Sequence, residues 1–491
     1  MKKRHGLSKS RFVAGCQCHK QLWWRVHEPE APELVPDASL QAVFTRGHAV
    51  GAMARGFVPG GVLIDAPHDQ YDQRLESTAK ALKSGVPAIY EASFVADGVF
   101  VAVDILEKAR GGWNLIEVKS TTQYKPEYLP DVAVQFYVLK KAGLKINSAG
   151  LMHLNRECRY PDLSNLFVRA DLSEQAGELL PSVKTEIAAQ LRLLQGPIPE
   201  VVPGRFCTDP RECPFIGRCW PHLPDHHIST LYRIGQKAAE LEELGFTTIL
   251  DLPAVFPLSA IAARQRLSVV EKRVVVEPGL KEALARWEPP IAFLDFETIQ
   301  PAIPVWNGCR PYDQIPVQFS CHVLNGSGKV EHFEWMADGP GDPRKELVDR
   351  VSDAVQNAKV ILAYNAPFER RCLDDIKACL PRFGRKVDDI TARIDDLLPV
   401  VRDHVYHPEF KGSFGLKSVF PALVPGKGYD GLEIADGQAA SNQLEALLLK
   451  GASLPPEKKA NIHEALLRYC EMDTMAMVKL LERLKKLENA K

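Results

Sequence analysis

The sequence predicts an α/β protein made of two α/β domains joined by a small helical segment. Three observations predict it. The 491 residues exceed what one hydrophobic core serves, so two or three domains are expected. Residues 98–119 and those from 291 onward alternate as strands do and then turn to helical spacing. Proline-rich breaks at 196–204 and 287–290 punctuate the chain between them. The expected domains are therefore 1–222, a helical linker 223–288, and 289–491. Hydrophobic content of 45% and charged content of 25% are ordinary for a globular chain.

A net charge of −1 excludes a polybasic binder as a whole. Residues 1–25 are locally basic, with seven Lys or Arg and no acid, and they close on Trp23 and Trp24. Such an arm can track a phosphate backbone and stack on bases; a solvated terminus is the plainer reading. No apolar stretch follows Lys2, Lys3 and Arg4, and no run reaches membrane length. A cytoplasmic protein is expected. Eleven cysteines in such a chain read as thiols or metal ligands before disulfides.

In the first domain, residues 98–107 and 113–119 flank a hairpin turn at 109–112. Centring the turn between Arg110 and Gly111 pairs Asp104 with Glu117, their Cβ atoms about 5 Å apart. Lys119 shares that face. Two carboxylates so close call for a cation between them. Mg²⁺ suits oxygen ligands, activates water and stabilises a phosphodiester in flight. Lys119 would hold the attacking water or neutralise the transition state. A surface charge ladder is the alternative.

Asp104, Glu117-Val118-Lys119 and Gln135-Phe136-Tyr137 resemble the PD-(D/E)XK pattern of RecB-like nucleases. The resemblance implies that Gln135 and Tyr137 touch DNA or support the site, and that Glu91 is an upstream acid. Relatives carry a metal-binding His four residues after a Gly. Here that position is Gly51, and His48 is the candidate substitute. Cys207, Cys213 and Cys219, with Cys18 far upstream, resemble the four-cysteine clasp of CRISPR-associated RecB-like nucleases and AddB-type helicase–nucleases. This implies a structural [4Fe–4S] cluster. The first gap is longer than the family's, Cys16 competes with Cys18, and zinc is the alternative. Residues 231–241 and 244–249 resemble half of a helix–hairpin–helix, whose backbone N–H groups hold phosphate; a helical spacer is the alternative.

In the last domain an apolar strand, 291–298, ends in Asp295 and Glu297 on one face. Residues 360–369 read as a second strand delivering Glu369 into a helix. Tyr469 and Asp473 share a face of the C-terminal helix. Four acids converging with a tyrosine would suit a two-metal site, with ions about 4 Å apart and Tyr469 positioning the water; singly, each acid reads as a solvated carboxylate. The set resembles the DEDD exonucleases of the DnaQ, RNase H-like superfamily, in the tyrosine subtype. Asn365 and Phe368 match that family's second motif as a substrate-binding element, and 412–417 its following loop. The family's third acid is Asp where this chain has Glu369. The two resemblances together imply a Mg²⁺- or Mn²⁺-dependent nuclease acting on single-stranded DNA ends in repair, recombination or defence. The alternatives are RNA 3′-end processing and a nucleic-acid-binding protein with inert sites.

Overall fold

The alternation at 88–119 closes into an antiparallel meander. In the computed structural model, which describes residues 6–488 except 221, 427, 430, 435, 452 and 453, it forms β3 to β5 of the first unit. Lys2, Lys3 and Arg4 lie outside the described residues. The architecture is mixed α/β. Among the described residues no helix is long and apolar enough to cross a membrane. Contacts divide the chain into two units, 1–222 with 301–312, and 223–300 with 313–491.

The first unit holds β1 (Leu7–Ser8), β2 (Val62–Leu63), β3 (Ala88–Ala96), β4 (Val99–Ala109), β5 (Gly112–Lys119), β6 (Ile146–Leu154) and β7 (Phe167–Asp171). Their order is β2-β3-β4-β5-β6-β7, with β1 parallel to the first residues of β4. The tight turns at Asp97-Gly98 and at Gly111 lie at positive φ, which glycine adopts freely. A parallel β5–β6 pair needs a crossover, and the helix Leu129–Lys141 supplies it. Its residues Asp131 to Leu139 are all buried. Val134 and Val138 pack with Val101, Val103, Leu115 and Leu151 in one core. Each such aliphatic burial stabilises the unit by about 1.5–3 kcal/mol.

The second unit holds β8 (Val275–Val276), β9 (Ile291–Ile299), β10 (Ile315–Leu324), β11 (Val330–Met336), β12 (Val360–Ala363), β13 (Ile394–Asp396) and β14 (Val405–Tyr406). Five of them form a sheet in the order β11-β10-β9-β12-β13. β9, β10 and β11 are antiparallel neighbours, whereas β12 runs parallel to β9 and to β13. The helix Pro456–Glu488 packs on β9 and β10.

Two boundaries differ from expectation. Residues 223–288 are not a free linker. They belong to the second unit, tied to it by the β8–β14 pair, by Arg264 on the Arg402 carbonyl, and by buried Trp287, whose indole donates to Asp395 at 2.7 Å. Residues 301–312 pack with the first unit, where Tyr312 donates to the Ser120 carbonyl at 2.8 Å. The half helix–hairpin–helix is also altered. Residues 231–236 turn, with Arg233 and Gly235 at positive φ, and only Lys237–Glu243 is helical there.

Candidate functional site

In the first unit, registers on both sides of β4 place Glu91, Asp104 and Glu117 in one row across three strands. Glu91 sits at positive φ, an irregularity that interrupts pairing at that point. Its carboxylate lies 3.5 Å from Arg55 and 3.6 Å from Arg74. Glu117 is buried and takes Lys119 Nζ at 2.8 Å, Lys9 Nζ at 2.8 Å on both oxygens, and Gln135 Nε2 at 2.7 Å. Burial opposes its charge, but Lys119 and Lys9 outweigh burial and hold the carboxyl below its usual range. Asp104 accepts from the Val118 amide at 2.7 Å, yet burial and then Glu117 push it up to about 7. Lys119 is shared with Asp131 at 2.7 Å.

Lys9 was not legible as a site residue. It is carried in by β1, which aligns the chain start beside β4, 108 residues from Glu117. Gln135 is fully buried and its amide donates to Glu117, which places it in support of that carboxylate. Tyr137 donates to Asp97 at 2.5 Å in the β3–β4 turn, so its hydroxyl is not at the acids. His48 is exposed on the helix Ala38–Gly56. A Cβ at Gly51 would meet nothing within 4 Å, so no residue fills that place.

The cysteines separate cleanly. Cys18, Cys207, Cys213 and Cys219 line one cavity, and none is in a disulfide. Cys213 is held up first by burial, then by the Cys18, Cys207 and Cys219 thiols beside it. Cys16 is exposed and lies against Gln190, outside this group. The N-terminal helices are also knit to the cysteine segment by side chains. Gln17 donates to the Phe206 and Arg211 carbonyls, and Arg218 pairs with Glu28 and Glu33. Trp24 is buried against Phe215, and Trp23 donates to the Gly196 carbonyl. Trp24 is therefore spent on packing, whereas half-buried Trp23 stacks on His27 with ring centroids 4.3 Å apart.

In the second unit, Asp295 and Glu297 project from β9, and Cys470 from the helix Pro456–Glu488. Their ligand atoms lie within 4.8 Å of one another. Glu369, in the first turn of the helix Pro367–Cys379, is buried, with its Oε2 lacking any hydrogen-bond partner. Asp473 is buried and accepts from the Tyr429 hydroxyl at 2.6 Å. Tyr469 is buried, with Lys417 Nζ 4.4 Å over its ring. Burial, Asp473, Glu297 and Glu369 raise Asp295 well above its ordinary range. Burial and then Asp473 raise Glu297 to about 8 against the pull of Lys417. Burial raises Glu369 to about 8 and Asp473 to about 6. Asp295, Asp473 and exposed Asn365 line a cavity of about 630 Å³ with Lys417 and Tyr232. Tyr429 and Lys417 were missed as site residues because only the fold brings them to the acids.

The clusters differ in charge balance. Lys9 and Lys119 neutralise the first, whereas in the second Lys417 pulls only Glu297 and Asp473 downward and all four acids stay raised. The orphaned Glu369 oxygen and the raised acids fit hard divalent cations. Fold and sites together define a mixed α/β protein with side-chain groups that could hold a metal ion. Residues 292–415 are similar to a family described as a domain of unknown function, DUF2779. That stretch contains Asp295, Glu297 and Glu369, but not Tyr469 or Asp473. No curated protein matches the chain.

Proposed function

We propose that the protein is a metal-dependent nuclease that removes nucleotides from DNA ends, with single-stranded ends preferred. The observation that carries this reading is the second cluster. Asp295, Glu297, Glu369 and Asp473 are drawn from a strand and two helices into one mutually repelling group beside an open cavity. Evolution of such a group without a cation would leave a destabilising charge set. The strand order of the sheet also accords with the RNase H-like resemblance.

Asp295, Glu297, Glu369 and Asp473 would hold Mg²⁺ or Mn²⁺, which when bound lowers the pKa of water and screens phosphate charge. Tyr469 keeps its proton, since burial and then Asp473 raise its hydroxyl, and it orients the attacking water as a donor. Tyr429 fixes Asp473, and Lys417 brings positive charge to the phosphate side of the cavity. In the first unit Asp104 and Glu117 would hold one further ion. Lys9 and Lys119 keep Glu117 ionised, and Gln135 fixes its orientation. Cys18, Cys207, Cys213 and Cys219 fit a [4Fe–4S] cluster or zinc that locks the N-terminal helices to the end of the unit.

The test is digestion of end-labelled single- and double-stranded DNA in Mg²⁺, with RNA of the same sequence in parallel. Loss of nucleotides that stops in EDTA, and stops or slows in Asp104→Ala and Asp295→Ala, supports the reading. Faster loss of RNA moves the substrate to RNA. Cleavage unaffected by both substitutions removes it.

A further inference from the structure

Two cavities of the second unit share the side chains of Tyr232, Arg233 and Arg402. One opens over Asp295 and Asp473. The other, about 640 Å³, continues from the shared wall past Lys237 and Phe256. Each has the volume of a pocket that encloses a nucleotide-sized ligand. Three features of the shared wall are specific. Arg233 sits at positive φ with its guanidinium 5.3 Å over the Tyr232 ring. The other edge of that ring is fixed by Phe414, with centroids 5.4 Å apart and planes at 87°. Arg233 and Lys237 are both exposed, whereas Arg402 is held by Asp403 at 2.7 and 3.0 Å.

A fixed ring capped by a guanidinium gives a flat platform. Exposed bases stack on aromatic and guanidinium planes alike. Exposed Arg233 and Lys237 also bring positive charge suited to the phosphates that join consecutive bases. A duplex does not fit this description, because its base faces are already stacked. We infer that Tyr232, Arg233 and Lys237 seat the nucleotides adjacent to the one at the carboxylates, making the second unit a reader of single-stranded polynucleotide several residues long. This rests on the nuclease reading of the neighbouring cavity. The segment whose sequence resembles half a helix–hairpin–helix thus takes a nucleic-acid role through side chains, not through a helical hairpin.

The test uses the full chain in Ca²⁺ and an oligothymidylate carrying 5-iododeoxyuridine near its 3′ end. Photo-adducts are mapped by mass spectrometry in the parent and in the Arg233→Glu, Lys237→Glu double variant. Adducts on 231–262, reduced about tenfold in the variant, are expected. The salt slope of strand affinity should also fall by about 0.7 for each cation removed. Adducts confined to other segments, or an unchanged yield in the variant, overturn the inference. An iodouridine-bearing oligoribonucleotide tells whether the seat also takes RNA. Hydrolysis of p-nitrophenyl thymidine 5′-phosphate, which carries a single nucleoside and no adjacent nucleotide, reads the carboxylates separately. If that hydrolysis is absent the nuclease reading fails, while the adduct map still decides the seat.

Discussion

Removing one charge from the second cluster should stabilise the metal-free protein. In Asp295→Asn, the amide replaces a carboxylate whose ligand atom lies within 4.8 Å of Glu297 and Cys470. In the metal-free protein the raised Asp295 keeps its proton where the unfolded chain's aspartate has lost it, at a cost of about 1.4 kcal/mol for each pH unit in that interval. Glu297, raised to about 8 by burial and then by Asp473, shows that Lys417 does not restore an ordinary carboxylate range in this cluster. The sign with pH follows. Below the ordinary carboxylate pKa both folded and unfolded chains are protonated, and no penalty exists. As pH rises from about 4 to about 8 the unfolded chain loses its protons first, so the folded state is progressively destabilised. The gain from Asp295→Asn should therefore be small near pH 5 and fullest near pH 8. A gain of about 1–3 kcal/mol corresponds to roughly 2–4 °C per kcal/mol for a unit of this size. Saturating Mg²⁺ should stabilise the parent at pH 8, by about 3 kcal/mol at a hundredfold excess over Kd, and stabilise the variant much less. Scanning calorimetry with and without EDTA reads all four conditions. A variant less stable than the parent at both pH values, or an equal Mg²⁺ response in both proteins, would refute the reasoning.

Other perturbations reach the remaining parts of the account. Lys9→Met leaves Glu117 with one ammonium fewer in a buried place, and should cost about 1–3 kcal/mol in denaturant unfolding; no change would mean that Lys119 alone suffices. Tyr429→Phe removes the 2.6 Å donor to Asp473, and should lower kcat about tenfold on a DNA end with the Tm nearly unchanged; an intact kcat would leave Tyr429 with no positioning role. Cys213→Ser should bleach the absorbance near about 400 nm of anaerobically purified protein, whereas Cys16→Ser should not. A colourless parent carrying zinc would instead assign the cysteines to that metal.

Much of the first cluster was legible because it is local. The turn at Arg110 and Gly111 fixes a two-residue period, and the period alone puts Asp104 across from Glu117 and Lys119 on the same face. The strand pattern around Asp295 and the i, i+4 spacing of Tyr469 and Asp473 were local in the same sense. Lys9, Tyr429 and Lys417 were not legible, since each reaches its acid only through packing far along the chain. Residues 223–288, expected as a separate helical linker, pack with the second unit, and 301–312 pack with the first, because nothing in their composition says which core they join. Cys18 could not be chosen over Cys16 by spacing, but the geometry of the helix ends decides it. The sequence Ser8-Lys9 begins the helix Lys9–Gln17, and its last turn throws Cys16 outward, while Cys18, at the junction with the helix His19–His27, faces the cavity.

The central claim is that carboxylates gathered in each unit hold hard divalent ions. It is tested most directly by titrating Mn²⁺ into metal-free protein and counting bound ions by electron paramagnetic resonance. Binding to both units is expected, with Asp104→Asn and Asp295→Asn each removing a different part of the total. Absence of binding, or the same stoichiometry in parent and both variants, would contradict it.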